Sequence, residues 1–386
     1  MVKHSSRIEL SQSALKANFN FIRKKIDKKD VLISAVVKAN AYGHGYDSYI
    51  KMVEKCGINH FSVASAHEAE MVKSFSSEKS NIMIMGILYE EDISWAIKND
   101  IEFYVFNYDR LLKVNEFAKK LNKKAIVHIE TETGANRTGM SDFDFYKSLT
   151  FLKKKNSNID FKGLCSHFGG AESFSNRFKI DAQLKKFKEQ ISWCKKKNIL
   201  PGYIHIASSA ATLFLPESHF NMVRVGVSQY GFWPSPDIFY DHIQKTGSRT
   251  NTGLKRVFTW KTDIMDIKNV KSGSFVGYGT AFQAVRDMRV AVLPLGYSNG
   301  YPRGLSNTGQ VLIRGKKAQI IGLINMNLFT VDISHIPDAE VGDEVVLIGR
   351  QKNHVINISS FSNFVNLLNN EMMSRLPAAI PRKAVR

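Results

Sequence analysis

Over the first two thirds of the chain, short apolar runs alternate with segments of helical period. Eight runs, at residues 31–37, 60–65, 81–85, 102–105, 125–131, 161–167, 203–207 and 222–227, read as strands. Their near-continuous apolar character is what burial on both faces requires, whereas a half-exposed strand alternates. The intervening segments place apolar residues three and four positions apart, as with Phe187 and Ile191 within 180–197. Eight strand–helix units of roughly 20–30 residues predict an α/β fold with a parallel (β/α)8 barrel. A doubly wound open sheet is the alternative, but no Gly-x-Gly-x-x-Gly turn follows the first strand.

The pattern breaks at residues 234–254, which are rich in Pro, Ser, Asn, Thr and Gly and read as a linker or loop. Beyond it, runs at 257–270, 289–294, 310–313, 319–323 and 344–348 alternate with turn residues. They predict a smaller, mostly-β C-terminal domain. A helical segment over 359–376 stops before Pro377. The expected division is a barrel over 10–235 and a second domain over 236–386.

Composition narrows the function class. The 386 residues are 44% hydrophobic, ordinary for a chain with a sizeable core. No stretch approaches the ~20 apolar residues of a membrane span, and the opening Met1-Val-Lys-His-Ser-Ser6 lacks the apolar core of a secretory signal. A cytoplasmic protein without a membrane partner is expected. Cys56, Cys165 and Cys194 are far apart, which argues against a disulfide framework and a structural zinc site; no metal is expected. The formal charge of +19 raises nucleic acid as a partner. However, the basic runs 23–25, 153–155 and 195–197 fall on predicted helix faces without interleaved aromatics, which argues against it. The charge can instead attract an anionic cofactor or substrate.

The candidate chemistry begins at the end of the first strand, in Ser34-Ala-Val-Val-Lys38-Ala-Asn-Ala-Tyr42-Gly-His-Gly45. A lysine at the end of a buried strand is costly unless its amine is used, and imine formation with an aldehyde cofactor is one use. A lysine reaching out to solvent is the other reading. The string resembles the pyridoxal-phosphate attachment motif of the alanine racemase family, and the resemblance extends over nearly all of the chain.

That resemblance implies an amino-acid racemase acting on L- and D-alanine with pyridoxal 5'-phosphate as cofactor. Lys38 would carry the cofactor as a Schiff base and act as acid/base on one face of the substrate; Tyr42 would contact the phosphate. Racemisation needs an electron sink, a base on one face and an acid on the other. Val276-Gly-Tyr278-Gly-Thr280 resembles the segment bearing the second acid/base group, contributed by the other subunit of a homodimer with shared active sites. Standing alone, Tyr278 also reads as a packed sheet tyrosine. A phenol of pKa ~10 needs positive neighbours to act near neutral pH. Arg224 and His167 match the family's pair, and Arg224 would also face the pyridine nitrogen. Ser209 matches the phosphate-binding turn, with Gly226 and Val227 as backbone donors, although Ser208-Ser209 also reads as a helix cap.

Arg137, in Thr131-Glu-Thr-Gly-Ala-Asn-Arg137-Thr-Gly139, matches an arginine that helps hold the substrate carboxylate, and otherwise reads as a solvated loop cation. Met326 matches a position whose backbone N–H contacts the same carboxylate, and 295–303 matches a segment near substrate access. A short strand near 7–10 would join the C-terminal domain, placing residues 1–9 with it. Five positions depart from the usual pattern: Glu130 for a carbamylated lysine, Glu132 and Asn327 for aspartates, Asn370 and Phe282 for tyrosines. A direct or water-bridged pairing of Glu130 with Arg137 is expected. The altered shell makes a racemase of other or broader range the alternative. A non-catalytic pyridoxal-phosphate carrier is the non-enzyme alternative; such proteins resemble the barrel alone.

Overall fold

The structure, a computed structural model, describes residues 4–26, 28, 30–247, 253–361 and 369–386. It divides into two compact units, one of Ser13–Ala39 and Ile50–Lys255, the other of Met1–Gln12, Asn40–Tyr49 and Arg256–Arg386. The strands, numbered along the chain, begin with β1 (Ser6–Ser11) in the second unit.

The first unit holds β2 (Leu32–Val36), β3 (His60–Val63), β4 (Asn81–Ile84), β5 (Glu102–Val105), β6 (Ala125–Glu130), β7 (Ile159–Cys165), β8 (Tyr203–His205) and β9 (Met222–Val225). They form one parallel sheet in the order β8-β7-β6-β5-β4-β3-β2-β9. Beyond the last registered pair, the Arg224 N–H donates to the Ala207 carbonyl at 3.0 Å, joining β9 to the segment after β8 and nearly closing the barrel. The eight predicted strands are all present. Most stop short of their predicted ends, because Thr131, His167, Ala207 and Val227 have already left the ladder for the loops. Met83, Tyr104, Cys165 and Met222 fill the interior.

The connecting helices start where their caps direct. Ser65, Asn107 and Ser141 accept from the N–H three residues on, at Glu68, Arg110 and Asp144. The helix Arg177–Lys196 buries Ile180, Leu184, Phe187 and Ile191, while Lys195 and Lys196 face solvent, so this basic run is a solvated helix end. The stretch read as a linker instead holds the helix Pro236–Thr246, with Ser235 as cap, Pro236 in the first turn and Gly247 as a left-handed stop. Proline and serine there start a helix rather than break one. Residues 248–252 lie outside the described residues.

In the second unit the remaining strands are β10 (Phe258–Asp263), β11 (Asp266–Val270), β12 (Met288–Leu293), β13 (Gln310–Ile313), β14 (Lys316–Ile321), β15 (Phe329–Asp332), β16 (Glu344–Gln351), β17 (His354–Ile356) and β18 (Arg382–Val385). The sheet runs β11-β12-β15-β14-β13-β16-β10-β1-β18, with β17 on β16. β1 and β10 alternate buried and half-buried positions, the signature of a sheet covered on one face. Trp260, Tyr301, Phe329 and Phe361 pack together beneath it. β15, β17 and β18 were not expected, and the run 257–270 is two strands. The helical segment expected over 359–376 is described at Asn369–Ser374; residues 362–368 lie outside the described residues. No helix among the described residues is long and apolar enough to cross a membrane.

Candidate active site

Lys38 follows β2 directly after buried Val37, and is itself exposed. Its amine has no hydrogen-bond or ion-pair partner among the described residues. The next four residues, Ala39, Asn40, Ala41 and Tyr42, all have φ between +52 and +54°, a full left-handed turn built without glycine. Each such residue costs ~1–2 kcal/mol, so the turn persists only because its surroundings hold it. The Glu68 carboxylate accepts from the N–H of Ala39 and of Ala64, both at 2.7 Å. Asn40 and Tyr46 bond reciprocally: the Asn40 N–H donates to the Tyr46 hydroxyl at 3.2 Å and the Tyr46 N–H to Asn40 Oδ1 at 3.1 Å. Gly43 then turns at φ +78°, where a Cβ would lie 2.0 Å from the Met373 carbonyl oxygen. Buried Arg382 donates to the Gly43 carbonyl at 3.1 Å and gathers the carbonyls of Pro377 and Ala378. Tyr42 is half-buried within this turn.

Arg224 lies in β9, whose four residues are all buried. One guanidinium nitrogen, Nη1, donates to His205 Nδ1 and to the His205 carbonyl; Nη2 donates to the Ser166 carbonyl at 2.8 Å and to His167 Nδ1 at 3.3 Å. The Nε–H has no acceptor among the described residues. Because arginine only donates, His167 accepts at Nδ1 and carries its proton on Nε2. Burial, reinforced by the charges of Arg224, Arg137 and Lys38, holds the His167 imidazole down at about 3, so it is neutral. Ser209 begins a short helix, and its Oγ accepts from the N–H of Gly226 at 2.8 Å and of Ser228 at 3.4 Å. The Gly226 N–H is thus engaged within the protein, whereas the Val227 N–H has no acceptor. With both lone pairs of Ser209 Oγ taken, its hydroxyl hydrogen is left to donate outward.

Glu130 ends β6, buried, and burial raises its carboxyl against the Thr138 hydroxyl and the charges of Arg224 and Arg137. The expected direct pairing fails: Arg137 is exposed and forms no ion pair or hydrogen bond among the described residues. Its loop is anchored instead by Glu132, which accepts from the N–H groups of Gly134 and Ala135. Burial opposes ionisation of Glu132, but these N–H groups outweigh it and keep its carboxyl below the usual range.

In the second unit, residues 275–283 form a hairpin-like loop closed by Val276 N–H to Phe282 carbonyl at 3.0 Å. Gly277 and Gly279 at its tip take φ +79° and +69°, with open space where a Cβ would sit. Tyr278 between them is 77% exposed. Phe282 packs on the small core of Val276, Ala284, Met288, Val290 and Ile321, which gives it a structural use for the ring. Met326 stands on a turn tied down by its own carbonyl, which accepts from the Ser298 N–H at 3.0 Å and hydroxyl at 2.7 Å; its N–H is unpaired. Asn327 donates to Ser298 Oγ at 2.8 Å, and Asn370 lies in the helix Asn369–Ser374.

The family described as Alanine racemase, N-terminal domain, matches residues 10–234, and that described as Alanine racemase, C-terminal domain, matches residues 257–384. The chain belongs to the alanine racemase family. An alanine racemase of Leptospira interrogans is 33% identical over 383 residues, covering 99% of this chain and 96% of that protein. Among solved structures, an alanine racemase of Clostridium difficile superposes with a TM-score of 0.89 at 27% identity, covering 100% of this chain and 97% of the other. An alanine racemase of Bacillus anthracis with bound L-Ala-P gives 0.86 at 27% identity, covering 100% and 96%. Alanine racemases are pyridoxal-phosphate enzymes. Motif matching to that family missed Glu68, Arg382, His205, His128 and Glu102. The last three carried a readable signal: polar residues inside otherwise apolar strands, each on a different strand of the barrel.

Proposed function

We propose that the chain is a pyridoxal 5'-phosphate-dependent alanine racemase interconverting L- and D-alanine. The observation that carries the reading is a set of unused groups in the barrel unit. The Lys38 amine, the Arg224 Nε–H, the Val227 N–H and the Ser209 hydroxyl hydrogen have no partner among the described residues, although Arg224 and Ser209 are buried. An aldehyde, a ring nitrogen and a phosphate are the acceptors such a set fits. Lys38 would hold the aldehyde carbon, Arg224 the ring nitrogen, and Ser209, Val227 and Tyr42 the phosphate; Gly226 supports this last group through Ser209. When bound, the cofactor supplies the electron sink for charge developing at the substrate Cα.

The protein's own groups do the rest. Lys38 takes or returns the proton on one face, and Tyr278 of a second copy does so on the other. Exposed Tyr278, Phe275 and Val285, all on or beside one loop, support a homodimer with shared sites. His167, with its proton on Nε2, can donate to a phenolate. Arg137 and the Met326 N–H would grip the substrate carboxylate. Three buried free thiols fit a reducing cytoplasm, where the enzyme would supply D-alanine.

A racemase of other or broader range is the second reading, favoured by Glu130 and Asn327. One assay tests both: protein with pyridoxal phosphate in heavy water receives L- or D-alanine, then other amino acids, while α-deuterium and chirality are followed. Interconversion of both alanine enantiomers with deuterium uptake is expected. Inert alanine beside another racemised amino acid would move the reading to the second, and no exchange with any substrate would end both.

A further inference from the structure

A single line of hydrogen bonds crosses the barrel interior away from Arg224. His205 Nε2 lies 2.9 Å from His128 Nδ1, and His128 Nε2 lies 2.8 Å from Glu102 Oε2. On the far side His60 Nε2 meets the same Oε2 at 3.2 Å, and His60 Nδ1 meets the Ser34 hydroxyl at 2.8 Å. All six residues are buried; the three histidines are 0% exposed, Glu102 3% and Arg224 4%.

Only one donor direction fits this line. Arg224 can only donate, so His205 accepts at Nδ1 and bears its proton on Nε2. That proton faces His128 Nδ1, so His128 bears its own on Nε2, facing Glu102. An ionised carboxylate can only accept, and it receives the His60 Nε2–H as well. Burial holds the His128 and His205 imidazoles below their ordinary range and therefore neutral, with Arg224's charge adding to it. Burial works against the Glu102 carboxylate, yet the two imidazole N–H groups hold it well below the usual range. A buried carboxylate costs several kcal/mol unless an opposite charge and hydrogen bonds offset it, and the nearest buried cation along the line is Arg224.

We infer that Glu102 is a positioning residue: it is the buried counter-charge of Arg224, acts through His128 and His205, and fixes which nitrogen of each ring carries the proton. The guanidinium is thereby held with its Nε–H turned to the open acceptor position. This rests on the reading of Arg224 as the residue that holds the cofactor's ring nitrogen.

The test is Glu102→Gln, which keeps the shape and an oxygen able to accept both N–H groups but removes the charge. Holoenzyme labelled with 15N-histidine is read by ring-nitrogen correlation spectra, beside the absorption spectrum of bound pyridoxal phosphate, kcat and KM. In the unsubstituted enzyme, His128 and His205 are expected as neutral rings protonated on Nε2. In the variant their ring-nitrogen signals shift, the cofactor absorption moves, and kcat falls about tenfold with KM little changed, the scale of one hydrogen bond to a charged group. Unchanged histidine signals, absorption and kcat in a folded variant overturn the inference. If the variant does not fold, the unsubstituted spectra still decide, because a charged His205 or one protonated on Nδ1 is incompatible with the line. Protein that has the expected tautomers but racemises nothing supports the counter-charge assignment and removes the activity reading instead.

Discussion

Arg224 and Ser209 in the barrel unit and Tyr278 and Met326 in the C-terminal unit are prepared in opposite ways. Arg224 and Ser209 are buried and tied by several hydrogen bonds, leaving one donor of each pointing out. Tyr278 and Met326 stand exposed on turns whose backbones are fixed while the reacting group touches nothing. The barrel groups are set before any ligand arrives, which limits reorganisation at the moment of reaction. The C-terminal groups are set only in backbone, so the Tyr278 side chain takes a working position when something covers it.

The sharpest break between the two sets is Lys38→Ala, expected to lower racemisation by roughly a thousandfold or more and to abolish covalent retention of the cofactor. Retained activity in a chirality assay would place the chemistry elsewhere. Next comes Tyr278→Phe, which would remove the proposed second acid/base group and leave cofactor binding intact. A fall of about a hundredfold or more is expected, with an unchanged absorption spectrum of the holoenzyme. A spectral change of the size seen with a barrel substitution would erase the contrast drawn above.

Gly43→Ala acts on stability. It combines left-handed backbone with overpacking against Met373, for roughly 2–4 kcal/mol, read as a drop in urea midpoint. A midpoint within error of the parent would mean that the turn yields easily.

A pH effect is shared by both units. Burial lowers His44 from 6.5 to about 4 and His167 to about 3. The unfolded chain therefore binds these protons first as pH falls, so stability is complete above about pH 7 and lost progressively below 6.5. His44 alone accounts for roughly 3 kcal/mol by pH 4. Urea midpoints from neutral pH to about pH 4 should decline steadily; a flat profile would mean these rings are not buried neutral.

The barrel was legible because parallel strands covered on both faces leave largely apolar runs, as at Val31–Val37 and Met222–Val227. Strand ends were less legible, since the residues that leave the ladder, such as Thr131 and Val227, belong to the same local pattern. Pro236 misled because one residue serves both helix starts and loops, and only Ser235 accepting from the Ile238 N–H decides between them. β18 was invisible because Arg382-Lys-Ala-Val385 has no apolar alternation, and its partner β1 lies at the other end of the chain. Among the site residues, those inside contiguous motifs could be found. Glu102, His128 and His205 could not be joined, because their connection exists only once β5, β6 and β8 stand side by side.

Gly43 and Arg382 are 339 positions apart, yet the carbonyl of one is held by the guanidinium of the other. During synthesis Lys38 and its turn leave the ribosome well before Arg382, the residue that secures the turn. The restraint on the left-handed run after Lys38 is therefore a late acquisition: until Arg382 has been made, the Gly43 carbonyl lacks its guanidinium donor.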